Sequence, residues 1–191
     1  ERSRGLGDVY KRQALLGDSL EAIAEQKAGI IKQGIPLVTG RIAPEALAVI
    51  DAIAEDKDAP RLAYGTDYQV SHQKSVVTGE VFDYTSVVRQ GRFQTGLLGL
   101  HQIENAGMAI ALLDTFCQED GRELASNHLL AQALEETSWP GRLEIVSRDP
   151  LMILDGAHNP HAIKALLATL QERFADYRKE ILFTCIKTKA L

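Results

Sequence analysis

The chain has 191 residues, 45% of them hydrophobic and 25% charged, which is typical of an ordinary globular protein. This length allows one domain or parts of two. A net charge of −5 and the lack of a basic stripe argue against a nucleic-acid-binding protein. No apolar run approaches the length of a membrane span. Cys117 and Cys185 form no C-x-x-C or metal-binding pattern, so we expect reduced thiols in a cytoplasmic protein.

Residues 1–13 differ from the remainder of the chain. They are polar, lack a periodic pattern and precede an abrupt helical pattern at Ala14. Residues 8–13 also match the translated end of a transposon used to prepare sequencing libraries. We therefore interpret residues 1–13 as a non-native scar and exclude them from the fold prediction; the alternative is a genuine flexible N-terminus. Because no methionine opens the chain, we expect an internal segment of a longer protein.

A helix is predicted directly after this segment. Asp18 or Ser19 can serve as its N-cap, and Gly29 ends it. Lys27 falls in the last turn, where the helix dipole favours a cation, so an ordinary helix-end lysine is the simplest interpretation. The predicted apolar face consists of Leu20, Ile23 and Ala24.

The next part of the chain alternates strand and helix patterns, as parallel sheets do. Strands are predicted at 36–40 and 62–64, with a helix at 43–55 between them. Short strands with polar alternation over 68–98 indicate an antiparallel patch at the edge of the sheet. Helices are predicted at 101–116 and 127–136, and the first domain would end at residue 139.

The densest chemistry follows an apolar run at 151–154. Because this run has no polar alternation, it favours a strand buried on both faces of a parallel sheet. Asp155 and His158 come directly after it, and Asn159 and Pro160 suit the N-cap and first position of a helix. Ligands of α/β sheets bind where strands end beside helix N-termini, so Asp155 and His158 are candidate site residues. The remaining predicted elements are strands at 143–146 and 181–184 and a helix at 162–174.

Arg142 follows a Pro-Gly bend upstream of this strand. A guanidinium near a strand-end carboxylate suits a ligand that carries both phosphate and hydroxyl groups. Alternatively, Arg142 and Asp155 form a surface ion pair and His158 is an ordinary loop residue. The residues alone leave both interpretations open.

Four sequence motifs together resemble one known family. Pro-Gly-Arg-Leu-Glu at 140–144, followed by an apolar strand and Asp-Gly-Ala-His-Asn-Pro at 155–160, is similar to the domain junction of folylpolyglutamate synthase/dihydrofolate synthase. This family is the folate branch of the Mur ligase superfamily. The segment 16–32 and the H-Q-x-x-N motif at 101–105 match the same family. The resemblance implies an α/β fold. Residues 14–139 would be the later part of a central ATP-binding domain, a parallel sheet flanked by helices, and 140–191 the start of a Rossmann-like glutamate-ligase domain.

The resemblance also implies a role for each candidate residue. Lys27 falls where the family carries a carbamylated lysine that holds Mg²⁺, which requires a neutral amine and a partly desolvated site. Asn105 would hold the adenine of ATP, since a carboxamide both donates and accepts. Arg142 would contact the phosphates, Asp155 would accept the ribose hydroxyls, and His158 would line the site. The competing interpretation of residues 101–116 is a core helix with a polar first turn.

The implied reaction is ATP-dependent amide formation with Mg²⁺, in which the carboxylate of folate or dihydropteroate is phosphorylated and L-glutamate then displaces phosphate. The chain lacks the family's glycine-rich phosphate loop, and Arg12 stands where the family has a metal-binding histidine. We therefore expect this polypeptide to be inactive by itself. A peptidoglycan Mur ligase and a non-catalytic nucleotide-binding module are the alternatives. Expected partners are small molecules, without nucleic acid or membrane, and the expected state is a monomer.

Overall fold

The computed structural model describes residues 19–184, apart from the side chain at position 161. The suspected scar, Arg12 and Cys185 lie outside the described residues. The chain divides into two compact units, whose described parts are 19–64 and 65–184. The predicted domain boundary at 139/140 falls within the second unit and stays a prediction. Across 19–184, no helix is both long and apolar enough to span a bilayer.

The first unit contains the predicted strand–helix–strand arrangement. Its elements are α1 (Leu20–Ala28), β1 (Leu37–Thr39), α2 (Pro44–Asp56) and β2 (Arg61–Ala63). Strands β1 and β2 pair in parallel, as the alternation of patterns predicts. Residues of α1, of α2 and of the segments that follow them form the core, namely Ala28, Ile31, Ala54 and Ala59 with Leu37, Ile50 and Ile53 around them.

Local capping fixes the ends of α1. The Ser19 hydroxyl accepts a hydrogen bond from the Ala22 N–H at 3.2 Å, and Gly29 is the C-cap, so both predicted ends are confirmed. The predicted apolar face is correct at Ala24, which is buried, but wrong at Leu20, which is 54% exposed. Leu20 is the first residue of the helix, where the described chain provides no neighbour to cover it.

The second unit begins with a three-stranded antiparallel sheet in the order β3 (Tyr68–Val76), β4 (Gly79–Ser86), β5 (Gln90–Thr95). The antiparallel strands are confirmed, but their placement at the edge of a parallel sheet is wrong, because they form a sheet of their own. Helix α3 (His101–Glu119) packs on this sheet, so closely that a Cβ at Gly107 would lie 2.5 Å from the Val70 side chain. Helix α4 (Asn127–Glu136) packs beside β5.

The last elements are β6 (Glu144–Arg148), β7 (Leu151–Leu154) and α5 (Pro160–Arg173). The prediction of a buried parallel strand at 151–154 is wrong, since β7 pairs antiparallel with β6, and Met152 and Leu154 are each 54% exposed. A tight connection between two strands forces the antiparallel pairing, whatever the apolar content of the strand. The strand predicted at 181–184 is also absent, and Leu182 there is 99% exposed.

A buried ion pair links the sheet to both of its helices. The Arg89 guanidinium donates to Asp114 from Nε at 2.8 Å and from Nη2 at 2.6 Å, and Nη1 donates to the Asn127 Oδ1 at 2.6 Å. Hydrogen bonding to Asp114 raises the pKa of Arg89. Arg89 precedes β5, Asp114 lies on α3 and Asn127 begins α4, so these three side chains fix the packing of three elements.

Tyr84→Phe is expected to reduce the loss of stability at alkaline pH. The Tyr84 hydroxyl is buried and has no hydrogen-bond partner in the described part of the chain. Burial raises the pKa of Tyr84 above 10.0 and outweighs the lowering effect of the nearby Ser86 hydroxyl, which does not reach hydrogen-bond geometry with Tyr84. The unfolded chain therefore ionises first, so this contribution to stability is complete below about pH 10 and is lost as the pH rises through the folded-state pKa.

Urea unfolding at neutral pH and above pH 10 measures this effect. Tyr177→Phe is the matched control, since Tyr177 is 56% exposed. An alkaline loss of stability that is equal in the wild type and in Tyr84→Phe would contradict the assignment to Tyr84.

Candidate functional site

Asp155 joins the loop before β6 to the loop after β7. Its Oδ2 accepts from the Leu143 N–H at 2.9 Å, and its Oδ1 accepts from the Ala157 N–H at 2.7 Å. The Gly156 N–H donates to the Gly141 carbonyl at 2.7 Å. These three bonds, called here the Asp155 clasp, hold the two candidate loops side by side.

The loop before β6 has an unusual backbone. Gly141 has φ of 71° and Leu143 has φ of 46°, a region that L-residues with large side chains rarely adopt. Leu143 is nevertheless 4% exposed, so burial of its side chain and the bond to Asp155 hold this conformation. The Gly141 N–H donates to the Glu144 Oε2 at 2.8 Å. Strained backbone conformations that several contacts hold in place are common in functional loops.

Arg142 is exposed between these two residues. Its guanidinium has no protein partner in the described part of the chain, and the Asp155 carboxylate receives backbone N–H groups instead, so the ion-pair interpretation is not supported. The Arg142 Nη1 lies 3.6 Å from the point where a Cβ at Gly156 would be, so the cation sits against the residue that follows Asp155. A carboxylate has about four acceptor positions, so Asp155 keeps capacity for two ligand hydroxyls.

His158 and Asn159 follow in the same loop. The His158 Nδ1 lies 2.8 Å from the Gly156 carbonyl. Because a carbonyl only accepts, Nδ1 donates, which leaves Nε2 of a neutral ring as an acceptor. The Asn159 Oδ1 accepts from the Ala162 N–H at 2.9 Å and Pro160 is the first residue of α5, so both predicted capping positions are confirmed.

Asn105 lies in the second turn of α3, in the same compact unit. Its Nδ2 donates to the Gln102 Oε1 at 3.0 Å, and the Gln102 Nε2 lies 3.0 Å from the His101 Nε2. Gln102 is 7% exposed, whereas Asn105 is exposed. The buried Gln102 therefore orients the Asn105 amide, and within 19–184 the Asn105 carbonyl oxygen stays available to a ligand.

Lys27 lies in the first unit, in the last turn of α1. Its side chain is exposed, so the described residues do not supply the desolvated surroundings that a carbamate requires. Within 19–184 no three His, Cys, Asp or Glu side chains are grouped as a metal site. Mg²⁺ is commonly held by one or two carboxylates together with substrate phosphates and waters. A carbamate on Lys27 would supply one such oxygen, but the surroundings that would stabilise it are not formed by residues 19–184, so its role stays a prediction.

A cleft of about 370 Å³ adjoins the Asp155 clasp and is lined by Trp139, Arg142 and Leu143, among others. Neither Asp155 nor His158 lines it. A larger cleft of about 500 Å³, lined by Lys74, Arg92 and others, contains none of the candidate residues. The smaller cleft is the better candidate because it includes the Arg142 guanidinium, which has no partner within 19–184.

The sequence analysis did not identify the charged residues that form the buried ion pairs of the second unit. These are Glu80, Arg89, Asp114 and Arg173. Asp114 had a detectable signal. It falls on the buried face of a mainly apolar helix, at helical spacing from Ile110, Ala111 and Cys117. A carboxylate there requires a cationic partner. The partner itself, 25 residues away, has no signal in the local pattern.

Comparison with known proteins connects this geometry to one group of enzymes. Residues 141–190, which begin within the Asp155 clasp, match the family model for the Mur ligase, glutamate ligase domain. The dihydrofolate synthase/folylpolyglutamate synthase of Bacillus subtilis is 36% identical over 176 residues, which is 92% of this chain and 41% of that protein. The chain thus spans about two fifths of the length of this relative.

Two solved structures superpose on the described fold. The FPGS–AMPPCP complex gives a TM-score of 0.80 at 35% identity, covering 85% of this chain and 40% of the other. The FPGS–AMPPCP–folate complex gives a TM-score of 0.79 at 34% identity, covering 84% of this chain and 39% of the other. The described fold is therefore of the mixed α/β class seen in these structures, and residues 141–190 match a Mur ligase domain. Among Mur-type ligases, the chain is similar to the folylpolyglutamate synthases/dihydrofolate synthases, of which it spans about two fifths.

Proposed function

We propose that the chain forms the adenine-, ribose- and phosphate-contacting part of an ATP-dependent ligase that joins glutamate to folate or dihydropteroate. The Asp155 clasp is the observation that carries this proposal. It brings together a carboxylate with spare acceptor capacity and a guanidinium that has no partner within 19–184, in a strained loop next to a helix N-terminus. Relatives crystallised with an ATP analogue and with folate support the choice of ligands.

Three residues of the second unit would hold the nucleotide. Asn105 would pair with the adenine edge through the amide that Gln102 orients. Asp155 would accept ribose hydroxyl hydrogens, and Arg142 would lie against the phosphates, where a guanidinium forms charge-assisted hydrogen bonds. Because Asp155 already binds two backbone N–H groups, its carboxylate would be held in place before the ligand arrives.

Other side chains would contact the reacting groups and the metal. ATP supplies the phosphoryl group that activates the substrate carboxylate, and Mg²⁺ offsets the negative charge of the phosphates. Lys27, as a carbamate, would provide an anionic oxygen ligand for the metal. The His158 Nε2 would be an acceptor within the site, because Nδ1 is used by the Gly156 carbonyl.

The folate branch is favoured over the peptidoglycan branch, because the matched relatives carry folate ligase names. The order of substrates, a folate or dihydropteroate first and L-glutamate second, follows from the proposed acyl phosphate. We further propose that the protein acts in the cytoplasm as a monomer.

A hybrid enzyme tests the proposed function. In it, residues 19–184 replace the matched segment of the Bacillus subtilis dihydrofolate synthase/folylpolyglutamate synthase. We expect ATP-dependent incorporation of labelled glutamate into dihydropteroate, into folate, or into both. The parental enzyme is the positive control, and a folded hybrid carrying Arg142→Ala with Asp155→Ala is the negative control.

The same hybrid enzyme distinguishes the folate ligase from a nucleotide-binding module and from a peptidoglycan ligase. A folded hybrid that binds ATP but incorporates no glutamate would contradict the ligase proposal and favour a nucleotide-binding module. Incorporation into a nucleotide-linked sugar acceptor, with none into folates, would favour a peptidoglycan ligase.

A further inference from the structure

A fully buried carboxylate outside the candidate site connects three parts of the second unit. Glu80, on β4, is 0% exposed. Its Oε1 accepts from the Gly99 N–H at 2.9 Å and from the Arg173 Nη1 at 2.7 Å. Its Oε2 accepts from the Ser75 hydroxyl at 2.6 Å, and the His72 Nε2 lies 3.5 Å away. One side chain thus contacts the hairpin, the segment before α3 and the last turn of α5.

Arg173 forms further hydrogen bonds that link α5 to the sheet. Its Nη1 also donates to the Gly79 carbonyl at 3.1 Å, and its Nη2 donates to the Val76 carbonyl. The guanidinium therefore satisfies carbonyls on both sides of the β3–β4 turn while it pairs with Glu80. The Arg173 side chain is 10% exposed, so most of the pair is removed from solvent.

The segment before α3 is held against α5 at a second point. Gly99 has φ of 104°, and a Cβ there would lie 2.8 Å from the Thr169 Oγ1 and 2.9 Å from the His101 ring. Thr169 is 4% exposed and lies one turn before Arg173 on α5. Thr169 and Arg173 together therefore fix where α3 starts relative to α5.

The two helices joined in this way carry the two halves of the proposed nucleotide site. Asn105 lies in the second turn of α3, and α5 begins directly after the loop that contains Asp155 and His158. We infer that the Glu80 anchor, meaning Glu80 with Gly99 and Arg173, is a positioning device that sets the spacing between the adenine contact and the phosphate contact. This inference rests on the proposed function. A ligand that bridges two contacts binds more tightly when their spacing is fixed in advance.

The inference predicts that changes in the Glu80 anchor affect the binding of two ligands differently. ATP uses both contacts, whereas inorganic tripolyphosphate uses the phosphate contact alone. Glu80→Gln removes the charge that holds Arg173, and Arg173→Lys keeps the charge but loses the forked geometry. Each variant is expected to weaken ATP binding about tenfold and to leave tripolyphosphate binding unchanged within about twofold, by analogy with other preorganised sites.

Titration calorimetry on the 191-residue chain measures both dissociation constants, and Trp139, which lines the cleft beside Arg142, offers a fluorescence readout. Ser75→Ala is the matched control. It removes a hydrogen bond to the same carboxylate but leaves the bonds to Gly99 and Arg173, so the ratio of the two affinities is expected to stay at its wild-type value.

Each other result overturns the inference in a recognisable way. If the wild-type chain binds ATP and both anchor variants bind it equally well, the anchor does not position the site and the proposed function stands. If both ligands are weakened equally, or if neither variant folds, the anchor serves the fold alone. If the wild-type chain binds no ATP, the nucleotide site of the proposed function fails, and this inference fails with it.

Discussion

Arg89→Met is expected to lower the free energy of unfolding by about 3–5 kcal/mol, because it leaves the Asp114 carboxylate buried without a cation. Both side chains of this pair are at most 5% exposed. Arg92→Met is the matched control. Arg92 forms the same forked pair with Asp83, but its side chain is 64% exposed and that of Asp83 is 34% exposed. Loss of the exposed pair is expected to be nearly silent, since water solvates the remaining carboxylate.

Equilibrium urea unfolding at neutral pH compares the two variants. A second comparison distinguishes the loss of the ion pair from the loss of side-chain packing. Arg89→Met combined with Asp114→Leu is expected to recover much of the loss, because two apolar side chains leave no charge unpaired. Equal and small effects of Arg89→Met and Arg92→Met would show that burial does not strengthen the Arg89–Asp114 interaction.

Lys27→Arg is expected to abolish glutamate ligation by the hybrid enzyme while leaving its fold intact. Arginine keeps the positive charge at position 27 but stays protonated, so it has no neutral nitrogen to react with carbon dioxide. An ordinary helix-end lysine would instead tolerate arginine, because either cation suits the helix dipole. Lys32→Arg is the control, since Lys32 is also exposed and has no assigned role.

A chemical rescue distinguishes a missing anion from a damaged fold. Lys27→Ala is expected to regain part of its turnover when a short-chain carboxylic acid is added, because the acid can replace the carbamate as a ligand. Near-normal turnover of Lys27→Arg would return Lys27 to the role of a helix-end residue. An exposed lysine in the last turn of α1 is what that helix-end role requires.

Features set by neighbouring residues were predictable from the sequence. Ser19 and Asn159 cap their helices with their own side chains, three residues before the N–H groups that they bind. The strand–helix–strand pattern correctly predicted the parallel pairing of β1 and β2, because a strand connected through a helix returns in the same direction.

Features that depend on distant neighbours were not predictable. The error at 151–154 has a different, local cause, since the short connection to β6 makes that pair antiparallel whatever the apolar content of the run. Glu80 and Arg173 are 93 residues apart, so no window of local sequence contains both. The positive φ of Leu143 could not be anticipated either, because leucine disfavours that region and tertiary packing enforces it.

The sequence identified the residues of the candidate site but not the hydrogen bonds between them. Family motifs pointed to Asn105, Arg142 and Asp155, and the fold brings Arg142 and Asp155 to neighbouring loops. An ion pair was one of the two interpretations of Arg142 and Asp155, but Asp155 binds backbone N–H groups instead, and the Arg142 guanidinium has no partner within 19–184. Whether these residues hold a nucleotide stays a prediction.

The fate of a labelled oxygen atom tests the proposed reaction most directly. The hybrid enzyme is supplied with ATP, glutamate and dihydropteroate that carries oxygen-18 in its carboxylate, and the inorganic phosphate is analysed by mass spectrometry. An acyl phosphate transfers one carboxylate oxygen to phosphate when the amine of glutamate attacks. The account predicts that one labelled phosphate and one ADP form for each amide. Unlabelled phosphate, or label recovered in AMP, would contradict it.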